Sequence, residues 1–270
     1  MDDRPIGMFD SGFGGLTVAR ALIDLLPDED LVYFGDTGRY PYGPRPLDEV
    51  REFAREITRL LIDRHNVKMV VVACNNASAA ALEALRFEHD VPIVGVIDPG
   101  VRALLAATRN RRVGVIATVG TVASGAYQRA VAETRAPVQL QTAACPGFVE
   151  FVERGETDSE DVHVLAERLL APVREAGVDA LLLGCTHYPF LAHTIGDVMG
   201  RDVVLVSSAD ETAFEVRSIL AETGLVRRSG RGTGKGRHTF ISSGDVQWFT
   251  RLGGRLLGPE LDDVEAWQWE

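Results

Sequence analysis

Two cysteines stand in matching surroundings. Cys74 follows Val70-Val71-Val72-Ala73 and precedes Asn75-Asn76-Ala77-Ser78; Cys185 follows Leu181-Leu182-Leu183-Gly184 and precedes Thr186-His187-Tyr188-Pro189. A short apolar run ended by small and polar residues predicts a buried strand entering a turn. The residues after each cysteine predict a helix start, with Pro189 suited to a first turn. A thiol there meets free backbone N–H groups and the positive end of a helix dipole, which lower its pKa and raise its thiolate fraction. Taken singly, a cysteine in an apolar setting is a small buried hydrophobe. A matched pair at two strand ends is harder to assign to packing. Two sulfurs facing one another across a ligand can form a disulfide, share a metal, or serve as acid and base on opposite faces of one carbon. The chain has three cysteines and no Cys-x-x-Cys or His-x-x-x-His spacing, which disfavours the first two. The acid–base pair fits best: one thiolate takes a proton from one face, the opposing thiol delivers one to the other, and configuration inverts.

Polar residues at other strand ends are candidates for holding a substrate. Asp10-Ser11-Gly12 closes the run at 6–9, and Gly12, Gly14 and Gly15 let backbone approach a ligand closely. Thr17, where a third glycine would stand, breaks the dinucleotide-binding fingerprint. Asp10 also suits a plain helix cap. Gly35-Asp36-Thr37 is a second such end, followed by the stiff turn Pro41-Tyr42-Gly43-Pro44. Thr118 and Thr121 can aim two hydroxyls at a carboxylate across a helix start, or simply cap it. His187, beside Cys185, can hold a proton or tune the thiolate. Glu153 faces either the cleft or solvent, and Cys145, ahead of Pro146-Gly147 and with no counterpart in the first half, reads as structural. The two lysines are Lys68, at the strand end remote from Cys74, and Lys235, in a glycine-rich stretch. Neither is well placed for a pyridoxal Schiff base, so no cofactor is expected.

These residues need a scaffold. Apolar runs at 6–9, 31–34, 68–73, 91–96, 113–116, 181–183 and 203–206 alternate with helical patterns. Across 47–62, apolar side chains fall at 47, 50, 53, 54, 57, 60 and 61, one face of a helix, with Pro46 ahead and Asp48 and Glu49 in its first turn. The alternation predicts an α/β fold of parallel sheets with ligands at the carboxyl ends of strands. The pattern occurs twice. Gly7-Met8-Phe9-Asp10-Ser11 matches Gly114-Val115-Ile116-Ala117-Thr118, and glycine to cysteine spans 67 residues in one half and 71 in the other. The expectation is two pseudo-symmetric parallel-sheet α/β domains with the active site in the cleft between them. Residues 1–97 with 209–270 form the first and 98–208 the second, with crossings at Asp98-Pro99-Gly100 and near 207–210.

The stretch 227–238, with five basic residues and four glycines, reads as a mobile surface loop. Its Gly234-Lys235 is not a phosphate loop, because Ser229 and Gly236 occupy the places of the required glycine and hydroxyl residue. The 270 residues, 46% hydrophobic and 25% charged, have the balance of a globular protein. A net charge of −11 disfavours nucleic acid or anionic lipid as the main partner. The longest apolar stretch, 69–74, falls far short of the ~20 residues that span a bilayer. Met1-Asp2-Asp3-Arg4-Pro5 carries no secretory pattern, and an odd cysteine count fits a reducing cytoplasm.

Phe9-Asp10-Ser11-Gly12 with Gly14-Gly15-Leu16, Gly35-Asp36-Thr37 with Pro41-Tyr42-Gly43, Cys74-Asn75, and Gly184-Cys185-Thr186-His187-Tyr188-Pro189 together resemble the bacterial glutamate racemases of the aspartate/glutamate racemase family. The resemblance runs over about residues 6–212. It implies cofactor-independent, metal-free interconversion of L- and D-glutamate, supplying D-glutamate for peptidoglycan in the cytoplasm, usually by a homodimer. It implies that Cys74 acts on the D-enantiomer and Cys185 on the L-enantiomer, assisted by Asp10 and His187, with Asp36 and Glu153 at acidic positions also implicated. Substrate contacts are implied for Asp10, Ser11, Tyr42, Gly43, Asn75, Asn76, Thr186 and His187, with Thr118 and Thr121 near the carboxylate. One departure is Asn76, where the family usually has threonine. Some members have been linked to inhibition of DNA gyrase; nothing in these residues supports or excludes that. Two alternatives stand beside this reading: a racemase of aspartate or of a hydantoin on the same scaffold, and a two-lobed amino-acid binding protein without catalysis.

Overall fold

The structure is a computed structural model that describes residues 1–227, 235–261 and 263–269. The stretch 228–234, which holds most of the expected mobile loop together with Ser229 and Gly234, lies outside the described residues. Among the described residues, ten strands form two sheets, and every pairing is parallel. The first sheet contains β1 (Ile6–Asp10), β2 (Leu31–Gly35), β3 (Met69–Val72), β4 (Ile93–Gly95), β9 (His238–Ser242) and β10 (Val264–Ala266), in the order β10-β9-β2-β1-β3-β4. The second contains β5 (Arg112–Ala117), β6 (Gln139–Ala144), β7 (Ala180–Gly184) and β8 (Val204–Val206), in the order β6-β5-β7-β8. Helices α1 (Leu16–Leu25), α2 (Leu47–His65), α3 (Asn75–Glu88) and α4 (Ile97–Ala107) follow the first four strands in turn. After β5 come α5 (Val119–Ala123) and α6 (Ala126–Glu133), and after β6 come α7 (Phe148–Arg154) and α8 (Glu160–Glu175). Then α9 (Ala192–Met199) follows β7, α10 (Ala209–Glu222) follows β8, and α11 (Val246–Leu257) follows β9.

Both sheets therefore repeat one arrangement, β2-β1-β3-β4 against β6-β5-β7-β8. Gly7 pairs with Val70 in the first and Gly114 with Leu181 in the second. Cys74 and Cys185 each lie four residues beyond that partner, so the matched phrases in the sequence occupy equivalent places in the two sheets. Three apolar clusters bury them. One, running from Met8 and Phe13 through Val96 and Ile116 to Cys145 and Tyr188, joins the two lobes. The other two cover the far face of each sheet, with Phe9, Val50, Ile57 and Val72 in the first lobe and Val101, Val115, Tyr127 and Leu182 in the second.

Helix α2 shows how local sequence sets this up. Val50, Ala54, Ile57, Thr58 and Leu61 form its buried stripe, and Asn66 ends it in the left-handed conformation at φ 49°. It runs three residues past the apolar pattern, where Arg64 complements the dipole at its C-terminal end. Asp98-Pro99-Gly100, the expected crossing between the halves, forms the first turn of α4. A proline there removes an N–H that has no intrahelical acceptor, and a Cβ on Gly100 would meet Leu182 and Ser208 at 3.1–3.3 Å.

The bases of the two central strands are pinned at equivalent positions by opposite charges. Lys68, one residue before β3, is buried, and its ammonium binds the Glu29 carboxylate and the Asp2 carbonyl. Asp179, one residue before β7, accepts the Thr108 hydroxyl and the N–H groups of Arg109 and Asn110.

Candidate active site

The carboxyl ends of the strands converge on one interlobe cavity of about 300 Å³. Ser11, the turn 40–44, Cys74, Asn75 and Asn76 line it from the first lobe. Thr118, Val119, residues 145–147, Val149, Glu150, Cys185, Thr186 and His187 line it from the second. A Cβ on Gly14 would fall 2.5 Å from the Thr186 hydroxyl and 2.7 Å from His187 Nδ1, so only glycine lets the first-lobe loop come this close to the second lobe.

Cys74 occupies the N-cap position of α3 in extended backbone. Its sulfur lies 3.9 Å from the Ser11 hydroxyl. Burial, reinforced by the neighbouring Asp10 charge, pushes the thiol well above its usual value, against the N–H groups of Ala77 and Ser11. Cys185 precedes a single 3-10 turn, Tyr188–Leu191, before α9 begins, so no α-helix starts at it. Its sulfur is 3.9 Å from His187 Nδ1, and burial pushes its pKa up to about 12. The expected helix-terminus depression is thus reversed at both sites. The backbone N–H groups are present, but desolvation of a buried thiolate outweighs them.

Asp10 lies just behind the cavity wall. Its Oδ2 accepts the Gly15 N–H at 2.7 Å and the Thr186 hydroxyl at 3.5 Å, and burial pushes its pKa up. It fastens the glycine turn, while the N-cap position of α1 is Gly15. His187 packs edge-on to Phe13 at 4.8 Å, and burial lowers its pKa to about 4. Its Nε2 is 3.8 Å from Glu153, whose carboxyl is pushed up to about 7 by burial. A neutral imidazole beside a carboxyl that ionises only near neutrality is a polar contact, not an ion pair. One turn earlier on α7, Glu150 rather than Glu153 reaches the cavity wall.

Asp36 does not line the cavity. Its Oδ1 accepts the Ser243 hydroxyl at 2.6 Å and Trp269 Nε1–H at 2.9 Å; its Oδ2 accepts Arg39 Nε–H at 2.7 Å and the Tyr42 hydroxyl. The Arg39 guanidinium is held between the rings of Trp269 and Phe53, at 3.8 and 4.1 Å. With four donors, this carboxylate anchors Tyr42 in the wall. Asn76 Oδ1 accepts the hydroxyls of both Thr118 and Thr121 at 2.9 Å, and Thr118 also caps α5. Both threonine hydroxyls are therefore engaged across the lobe boundary, where the Gly120 N–H also bonds the Gly43 carbonyl.

Of the expected residues, Ser11, Tyr42, Gly43, Cys74, Asn75, Asn76, Thr118, Cys185, Thr186 and His187 share the cavity. Asp10, Thr121, Asp36 and Glu153 stand one layer behind, Asp36 against Tyr42 and Glu153 against His187. Sequence reasoning missed Tyr40, Glu150 and the buried Tyr127, whose hydroxyl donates to Asn75 Oδ1 at 2.6 Å. Cys145, which reads as structural, also lines the cavity while its carbonyl accepts the Tyr188 hydroxyl. Only the doubled aromatic of Tyr40-Pro41-Tyr42 offered a local signal. Among the described residues, no three His, Cys, Asp or Glu side chains form a potential metal site, and no helix is long and apolar enough to cross a membrane.

Two parallel-sheet lobes of one strand order, with a small cavity between them that both lobes line, define the class: a two-lobed α/β protein with a candidate site at the lobe boundary. The sequence pattern of the Asp/Glu/Hydantoin racemase family matches residues 16–215. A glutamate racemase of Beutenbergia cavernae is 53% identical, over 98% of this chain and 93% of that protein. A crystal structure of a Bacillus anthracis glutamate racemase isoform superposes with a TM-score of 0.92 at 38% identity, covering 100% of this chain and 98% of the other. One of a Francisella tularensis glutamate racemase, in complex with D-glutamate, gives 0.90 at 32% identity, over 99% and 98%. The chain belongs to the Asp/Glu/hydantoin racemase family, among its glutamate racemases, and is an isomerase.

Proposed function

We propose that the protein interconverts L- and D-glutamate without a cofactor, with Cys74 and Cys185 as the two bases. The observation that carries this reading is the placement of both thiols at register-equivalent strand ends on one small cavity. One sulfur, as thiolate, takes the α-proton and becomes a thiol. The electron pair left on the α-carbon delocalises into the carboxylate. The opposite thiol donates its proton to the other face and becomes the thiolate. By resemblance, Cys185 is the base for L-glutamate and Cys74 for D-glutamate.

Both thiols rest protonated, so the first thiolate forms by proton transfer to a neighbour. Asp10 serves Cys74 and the neutral His187 imidazole serves Cys185. The amino acid's α-proton is far less acidic than a thiol, so most of the barrier reduction falls to fixed donors around the developing anion in a site that excludes water. Asn75, Asn76, Ser11 and Thr186 supply those donors. The same reading includes a supply of D-glutamate for peptidoglycan, a homodimer, and the lobe division at 97/98 and 208/209. It also includes the cytoplasm, whose reducing conditions suit three free thiols.

The test incubates each glutamate enantiomer in heavy water, without pyridoxal phosphate, with wild type, Cys74→Ser and Cys185→Ser. Circular dichroism follows inversion and mass spectrometry the α-deuterium. The expected result is inversion with solvent deuterium at the product α-carbon in wild type, and inversion slowed by at least ~10²-fold in either variant. A variant that inverts at the wild-type rate removes its cysteine from the mechanism. A wild type that leaves glutamate unchanged removes the glutamate assignment, and aspartate becomes the next substrate to test.

A further inference from the structure

Asn75 and Asn76, adjacent at the start of α3, are both held through their amide oxygens by hydroxyls from the opposite lobe. Thr118 and Thr121 donate to Asn76 Oδ1, and Tyr127 on α6 donates to Asn75 Oδ1. An amide whose oxygen is engaged by O–H donors presents its NH2 group to whatever remains. Asn75 Nδ2 is buried, has no hydrogen-bond partner, and belongs to a residue that lines the cavity. The opposite lobe thus fixes the sign of this wall: it offers N–H donors to a ligand and withholds the carbonyl oxygens.

Tyr127 is built into this role from both sides. Its side chain is buried, and its ring passes so close to Gly184 that a Cβ there would lie 3.0 Å from the ring and 3.1 Å from the hydroxyl oxygen. The hydroxyl therefore sits beside the residue that precedes Cys185 while it bonds the residue that follows Cys74. We propose that Tyr127 is a positioning residue for substrate: its hydroxyl holds the Asn75 amide with NH2 toward a carboxylate of the amino acid, so that a first-lobe contact with substrate depends on the second lobe. The inference rests on the glutamate reading above. Without the hydroxyl, the amide is free to turn its oxygen toward that carboxylate and repel it.

Tyr127→Phe keeps the ring against Gly184 and removes only the hydroxyl. The expected result is a KM for both enantiomers raised about tenfold, a kcat lowered less than about threefold, an unchanged pH profile, and a Tm lowered only by the loss of one buried hydrogen bond. Asn75→Ala raises KM by a similar factor, and adding Tyr127→Phe to it costs nothing further, because the tyrosine acts through that amide. Asn75→Asp, which replaces NH2 by oxygen without touching Tyr127, weakens glutamate binding more than Asn75→Ala. Calorimetric titration of glutamate into Cys74→Ser, with and without Tyr127→Phe, reads affinity with turnover blocked. Equal affinities there, additive losses in the double variant, or Asn75→Asp binding as well as Asn75→Ala each overturn the role of Tyr127 alone. A parent protein that binds neither enantiomer overturns the glutamate reading, and this inference with it.

Discussion

The two lobes share a strand order and a register but carry different chemistry at both ends of their sheets. At the base, Lys68 and Asp179 are equivalent positions pinning the segment that enters the central strand, one as a buried cation and the other as an accessible carboxylate. At the mouth, Cys74 sits beside a buried acid, Asp10, and Cys185 beside a buried base, His187. The backbone frame repeats because register and burial fix it. The partners differ although, in the proposed reaction, each thiol would serve as base in one direction and as acid in the other. One further asymmetry follows from chain order: the first lobe recruits β9, β10 and Trp269 from the C-terminal part, while the second is built from contiguous sequence.

The largest expected break in this comparison comes from the thiols. Cys74→Ser and Cys185→Ser each lower racemisation by ~10²–10⁴-fold. They differ in what survives: α-proton exchange without inversion persists for L-glutamate in the first and for D-glutamate in the second, read by mass spectrometry in heavy water. Next are the sheet bases. Lys68→Met leaves the Glu29 carboxylate buried without its cation, held only by the Arg227 N–H, and lowers stability by ~3–5 kcal/mol in urea unfolding. Asp179→Asn, at the accessible equivalent, costs ~1 kcal/mol. Equal costs would show that the two bases are not the different constructions described.

A third prediction probes the Cys185 mouth by pH. The carboxyl of Glu153 ordinarily ionises near 4.5 and is raised to about 7 in the fold. Its contribution is present in full below 4.5 and is lost as pH rises through 7. His187 is lowered from 6.5 to about 4, so its contribution is present above 6.5 and is lost as pH falls through 4. Glu153→Gln therefore gains on wild type by ~1–3 kcal/mol between pH 5 and 8, measured by chemical denaturation. A constant difference across that range would place Glu153 in contact with water. The smallest effect is expected for Trp269→Phe, which keeps an aromatic face for Arg39 and removes one of four donors to Asp36. Stability falls by ~1 kcal/mol and KM rises less than about fivefold.

The frame was legible in the sequence for a definite reason. Strands buried on both faces must be continuous apolar runs, and a duplicated order writes the same phrase twice, so Gly7 to Cys74 and Gly114 to Cys185 announced their equivalence. The cavity residues beside those phrases, Ser11, Asn75, Thr118 and Thr186, were readable from the same rule about strand ends. Asp98-Pro99-Gly100 did not disclose its conformation, because proline and glycine suit both a loop and the first turn of a close-packed helix. The thiol pKa values misled because a helix terminus is local, whereas burial is a property of the whole fold. Tyr127 and Glu150 were silent for a related reason: at helical spacing, an inward aromatic or acid looks the same whether it packs a core or meets a ligand. Cys145 was set aside for lacking a counterpart, yet the end of β6 opens on the same cleft as the other strand ends.

Strand β9 is inserted between β2 and β10, and that insertion governs the order in which the molecule can be completed. A chain emerging from the ribosome has all four strands of the second sheet by residue 206. The first sheet, begun at residue 6, waits until residue 266. Through that interval β2 presents a bare edge, and the Asp36 carboxylate lacks the two donors that come from Ser243 and Trp269. The lobe that starts first is finished last, and the turn holding Tyr42 against the cavity is tied down only by the final stretch of the chain described here.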